Sequence, residues 1–141
     1  LMAITYSNTI YDDIMETLAT LINDEFSIAV YYDEHKPPQS FMLTPTSDEL
    51  VVNLSSGTHR EYNVEVNYQL KIGGQYTKNN MKQVSNIMER LKRLVHNNSS
   101  YSSGATWFDA NITSIEYERD EDDQMLLRGI GIFNCQNIEV I

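Results

Sequence analysis

The sequence predicts an α+β fold: a two-layer sandwich in which a mostly antiparallel sheet carries two amphipathic helices packed on one face. Three observations lead there. Residues 62–72 alternate without a break, with Tyr62, Val64, Val66, Tyr68, Leu70 and Ile72 apolar and Asn63, Glu65, Asn67, Gln69 and Lys71 polar. Successive side chains of a strand point to opposite faces, so this strand buries one face and leaves the other polar. Segments 7–25 and 79–97 repeat their apolar residues at three- and four-residue steps instead, the period of a helix with one buried stripe. Several short strands lie between those helices and a hairpin follows the second, an order with no βαβ repeat.

In the first helix the stripe is Ile10, Ile14, Leu18, Leu21 and Ile22, with Ser7 or Thr9 as the expected cap and Asp12, Asp13 and Glu16 near the positive end of the dipole. Residues 28–32 form a short β-branched and aromatic strand. Pro37 and Pro38 make 33–40 an exposed loop, since each removes a backbone donor. Residues 41–43 resume extended structure until Pro45 interrupts it, and 50–54 form another short strand. Ser55-Ser56-Gly57-Thr58 then turns into the long strand as an antiparallel hairpin, and Gly73-Gly74 ends that strand. The second helix places Met81, Val84, Ile87, Met88, Leu91, Leu94 and Val95 on one broad face, with Asn79 or Asn80 as cap. Residues 97–104 read as a polar loop without core-forming content.

The last third reads as a hairpin. Its first arm, 107–118, slips its apolar period between Ile112 and Ile115, which predicts a bulge. Its tip is the acidic run Asp120, Glu121, Asp122 and Asp123. Its second arm, 125–135, is apolar at both parities, with Leu126, Ile130 and Ile132 opposed to Leu127, Phe133 and Cys135. Residues 137–141 read as a short tail.

The chain has 141 residues, 41% of them apolar and 21% charged, which fits one folded domain spanning 1–141. Twenty acidic residues against ten basic ones leave a formal charge of −10. That sign opposes general duplex binding through phosphate neutralisation. A single cysteine excludes an intrachain disulfide, and its apolar strand context predicts a buried, inert thiol. No apolar run is long enough to span a membrane, and the first residues lack the pattern of a signal peptide, so a reducing intracellular setting is expected.

Chemistry finds little support. His35, His59 and His96 stand far apart without ligand spacing, and loop or helix-end surface positions account for them. The acidic run lacks the glycine and glutamate of a calcium loop. Asp109, Glu116 and Glu118 lack the lysine of a metal-dependent nuclease site. Gly129-Ile130-Gly131 lies inside a strand and not before a helix, so it forms no phosphate loop. No catalytic residue, cofactor or metal is expected.

Charge is segregated, however. Lys82 and Arg93 lie opposite the apolar face of the second helix, with Lys78, Arg90 and Lys92 on its flanks, so an acidic molecule has one basic side. A solvated face is the common reason for such a set, and head-to-tail contact between copies is the alternative. The polar face Asn63, Glu65, Asn67, Gln69 and Lys71 has the same two readings, solvent exposure or contact with a neighbouring subunit. Unpaired sheet edges add further places for a second copy.

The opening helix around Ile10, Ile14 and Ile22, the loop Lys36-Pro37-Pro38, the alternating strand 62–72, the helix 81–95 and the closing hairpin 109–136 together resemble one family over nearly the whole chain. This is the tail terminator or tail-completion family of long-tailed bacteriophages, whose members join the tail tube to the head connector. The resemblance rests on pattern, size and acidity. It implies a non-enzymatic virion protein, assembled in the host cytoplasm as a hexameric ring. Its partners would be itself, the tail tube protein and the connector, with DNA passing through unbound and no membrane contact. Lys82, Arg90, Arg93 and the polar face of 62–72 then become candidate interfaces. Asp120, Glu121, Asp122 and Asp123 become a candidate acidic channel wall or rim that repels passing duplex. The alternatives are another virion ring from the neck or baseplate, and a cytoplasmic dimeric ferredoxin-like regulatory or ligand-binding domain.

Overall fold

The structure, a computed structural model, describes residues 3–36, 38–72, 80–123 and 125–140. Strand β3 (Gly57–Lys71) is the axis of the sheet. It pairs antiparallel with β2 (Gln39–Leu54) on one side and β5 (Leu126–Val140) on the other. Strand β4 (Phe108–Arg119) runs antiparallel to β5 at one edge. The two-residue β1 (Val30–Tyr31) runs parallel to β2 at the other, so the order is β1-β2-β3-β5-β4. The fold is α+β with a mixed sheet of five strands and two helices against it. That order is not the βαββαβ arrangement of a ferredoxin-like domain.

One face of the sheet is the core. Tyr62, Val64, Val66 and Tyr68 of β3, Phe41 and Leu43 of β2, and Leu127, Phe133 and Cys135 of β5 are buried on it. Helix α1 (Glu16–Phe26) supplies Leu18 and Ile22, and α2 (Asn80–Asn97) supplies Val84, Met88, Leu91 and Val95. Burying side chains of this size stabilises by about 1.5–3 kcal/mol each. The predicted stripes of both helices therefore face the sheet.

Several elements differ from expectation for local reasons. The first helix starts as a π-helical segment, Thr9–Met15, and the cap is Asn8 in place of Ser7 or Thr9. Asn8 Oδ1 accepts the Tyr11 N–H at 3.2 Å. The wider turn brings adjacent Ile14 and Met15 both into the core. Pro45 does not interrupt β2, which runs on as one 16-residue strand. Register shifts between Pro45 and Ser47, and Thr46 Oγ1 donates to the Asn63 carbonyl at 3.0 Å, so a side chain supplies a bond at the bulge. Residues 137–140 are no tail: β5 continues to Val140 because Gly57, Thr58, His59 and Arg60 at the start of β3 remain available to pair with it. The turn of the β2–β3 hairpin is Ser55-Ser56, with Gly57 already paired to Leu54. The loop after α2 contributes to the core after all. Tyr101 packs 5.4 Å from the buried Trp107 ring, and Trp107 Nε1 donates to the Asn98 carbonyl at 2.7 Å. The predicted slip in the last hairpin is present as a register shift between Ile112 and Ser114. Gly73, Gly74, Lys78 and the candidate cap Asn79 lie outside the described residues, as does Pro37.

Gly129 and Gly131 lie opposite Tyr68 and Val66, directly under α2. A Cβ at Gly129 would stand 2.6 Å from Met88 Cγ and 3.0 Å from Val84 Cγ1. Glycine is thus required there for close helix–sheet approach, which explains Gly-x-Gly inside a strand. Gly129→Ala should lower the unfolding free energy by about 1–3 kcal/mol in a denaturant melt, as overpacking does. An unchanged midpoint would mean that α2 does not approach the sheet this closely.

Candidate functional site

The second face of the sheet carries no helix among the described residues, and its side chains are organised by bonds between neighbouring strands. On β3, Asn63 Nδ2 donates to Ser47 Oγ at 2.8 Å, and its Oδ1 accepts from Asn134 Nδ2 at 3.0 Å. Gln69 Oε1 accepts from Arg128 Nε at 3.3 Å, and Lys71 pairs with Asp123 at 3.5 Å. Asn67 is nearly buried and is engaged by His35. The predicted interface residues are therefore cross-strand ties as well as surface. Among those on β3, Glu65 makes no ion pair or side-chain hydrogen bond with the described residues.

His35 is not a plain surface residue. Ser40 Oγ accepts the Lys36 N–H at 3.0 Å and lies 2.8 Å from His35 Nδ1. His35 Nε2 donates to Asn67 Oδ1 at 3.1 Å, since an amide oxygen can only accept. Burial holds the His35 pKa below the ordinary imidazole value and the Arg128 charge adds to that, against the opposing bonds to Asn67 and to the Ser40 backbone. His59 also departs from the loop or helix-end position expected of it: it sits within β3, its Nε2 2.6 Å from Gln136 Oε1. His96 is in the last turn of α2, as expected.

The acidic tip is partly neutralised. Asp120 Oδ2 accepts the backbone N–H groups of Asp122 and Asp123, and its Oδ1 pairs with Arg128 at 3.1 Å. Those backbone bonds and then Arg128 hold its carboxyl below the usual range. Asp123 accepts from the Met125 N–H and pairs with Lys71. Glu121 and Asp122 are exposed and make no ion pair among the described residues.

On the opposite side of the molecule, α2 presents its basic back. Arg90 is committed within the chain, pairing with Glu25 at 3.2 Å and lying 4.6 Å over the Phe26 ring. Lys92 pairs with Glu89 at 2.8 Å. Lys82 and Arg93 are exposed and make no ion pair among the described residues.

The feature that sequence reasoning missed is a ribbon at one end of the sheet. There the distal parts of β2, β3 and β5 leave Leu50, Val51, Val52, Leu54, Ile138 and Val140 exposed, Val140 at 82%. Val52, His59 and Ile138 form one row across three strands, and Leu54, Gly57 and Val140 the next. The signal was present as Leu50-Val51-Val52 and Ile138-Val140, but a break at Pro45 and a tail after Cys135 hid their pairing.

Nothing here assembles chemistry among the described residues. No group of three His, Cys, Asp or Glu side chains is close enough to hold a metal ion. Cys135 is buried and its thiol is pushed up to about 12, chiefly by desolvation and then by Glu61. A shallow cleft of ≈ 260 Å³ between the helices is lined by Glu25, Glu89, Arg90, Arg93, Leu94 and Asn97. That is below the size of an ordinary small-molecule site. No helix among the described residues is long and apolar enough to cross a membrane.

The fold has a known counterpart. A chain from the virion of a native gene transfer agent particle superposes with a TM-score of 0.50, covering 92% of each chain at 11% identity. No family model matches the sequence, and no curated protein matches it either. At that identity the likeness concerns the fold.

The His35 network makes a pH prediction. A folded pKa below the unfolded value means that the unfolded chain binds the proton first as pH falls. The contribution is therefore complete above the ordinary imidazole value of 6.5 and is lost below it. His35→Gln should cost about 1 kcal/mol near pH 8, with the gap to wild type closing towards pH 5.5 in urea melts. A gap that widens on acidification would contradict the lowered pKa.

Proposed function

We propose that this protein is a structural component of a phage-like virion, and within that class a ring at the head-proximal end of the tail. In this reading it caps the tail tube and joins it to the head connector. The observation that carries the reading is the fold likeness to a gene transfer agent virion chain over 92% of both chains. The surface supports it: one sheet face is left without helices among the described residues, a ribbon exposes apolar residues, and α2 carries exposed Lys82 and Arg93 on its outer side. Such surfaces suit repeated contact between subunits, and heterologous contacts that close generate rings.

A structural role without catalysis belongs to the same proposal, as do the tail tube protein and the connector as neighbours. Glu121 and Asp122, together with the net charge of −10, suit a channel wall that repels duplex and lets it slide. Asp120 and Asp123 contribute less, because each already meets a cation.

Native mass spectrometry of the purified chain tests the reading. The expected result is a closed assembly of about six copies, the number that the resembled family uses. A monomer at all accessible concentrations, or a dimer that retains a metabolite, would overturn it.

A further inference from the structure

Two cations on α2 and three carboxylates on the open sheet face lack ion pairs among the described residues, and their spacing matches. On β3, Glu61 faces away from the helices, directly across from Glu49 of β2. Like charges directly opposed on one sheet face repel. Glu61 receives only an amide, Asn134 Nδ2 at 2.7 Å, and neither carboxylate has an ion pair among the described residues. Glu65 lies four residues further along the same face, about 14 Å away at the rise of a strand. The exposed cations without ion pairs on α2 are Lys82 and Arg93. They are eleven residues apart, which returns to nearly the same helix azimuth and spans about 16 Å. Flexible stems of Lys and Arg absorb the difference.

We propose, resting on the ring reading above, that the outer side of α2 in one copy lies on the open sheet face of the next, along β3. Lys82 and Arg93 then meet the Glu49–Glu61 pair and Glu65. The occupant is a second copy because the charges that this face lacks are the ones that the chain itself carries unspent on its other side. The apolar rows Val52–Ile138 and Leu54–Val140 begin about 7 Å beyond Glu61, at two strand residues' distance. They exclude water from one end of the contact, which strengthens the neighbouring ion pairs. The contact is heterologous, each copy using its helix towards one neighbour and its sheet towards the other.

The test is a charge exchange read by native mass. Glu49→Lys, Glu61→Lys and Glu65→Lys together should reduce assembly at least tenfold in concentration dependence, and Lys82→Glu with Arg93→Glu should do the same. All five positions have solvent access, and circular dichroism checks that the fold is retained. An equimolar mixture of the two variants should assemble again, because each then offers the charge the other lacks. Variants that assemble like wild type, or a mixture that stays dissociated, would overturn this contact while leaving a wild-type ring standing. A wild-type chain that is itself monomeric overturns the ring reading, a separate failure.

Discussion

The constraint on which the structure depends is that β3 is paired along both edges for nearly its whole length. All fifteen residues pair with β5 and all but Lys71 with β2, so their alternation fixes the facing of three strands at once. A slip of one residue would expose Tyr62, Val64, Val66 and Tyr68 and bury Glu61, Asn63 and Glu65. Tyr62 and Tyr68 anchor the register further: the Tyr62 hydroxyl donates to Glu139, and the Tyr68 hydroxyl to Gln39 at 2.7 Å. Burial raises both phenol pKa values, that of Tyr68 to about 12, so both stay donors at any physiological pH.

From this follows the asymmetry that matters for function. Helix α2 comes close enough to use Gly129 and Gly131 as a floor, so the helices satisfy one face completely. The other face is held by cross-strand amides and by Arg128, which reaches Gln69, Glu118 and Asp120 together. Such ties define a rigid polar surface with little freedom to rearrange. A mostly polar surface with an apolar end suits docking of a preformed partner.

The fold was legible in the sequence wherever periodicity was long. The eleven-residue alternation from Tyr62 and the seven-residue apolar face of α2 each gave the right element and the right buried side. Even the bulge near Ile112 could be read from one slipped period. What escaped depends on pairing partners that no local pattern contains. Pro45 reads as a break, yet a bulge and Thr46 carry β2 past it. Residues 137–140 read as a tail, yet the start of β3 was waiting to pair. His35 reads as a loop residue, yet Ser40 and Asn67, five and thirty-two positions away, bury it halfway. For the candidate site the residue types were legible, but not their commitments. Arg90, Lys71, Asp120 and Asp123 proved to be engaged within the chain, whereas Lys82, Arg93, Glu65, Glu121 and Asp122 make no ion pair among the described residues.

The central claim is that the open sheet face and its apolar ribbon are the working surface of this protein. Hydroxyl-radical footprinting of the assembled and the dilute chain tests it most directly. The account predicts that oxidation falls on assembly at Val52, Leu54, Ile138 and Val140, the exposed apolar residues of that face. Equal oxidation of those four side chains in both states would contradict it.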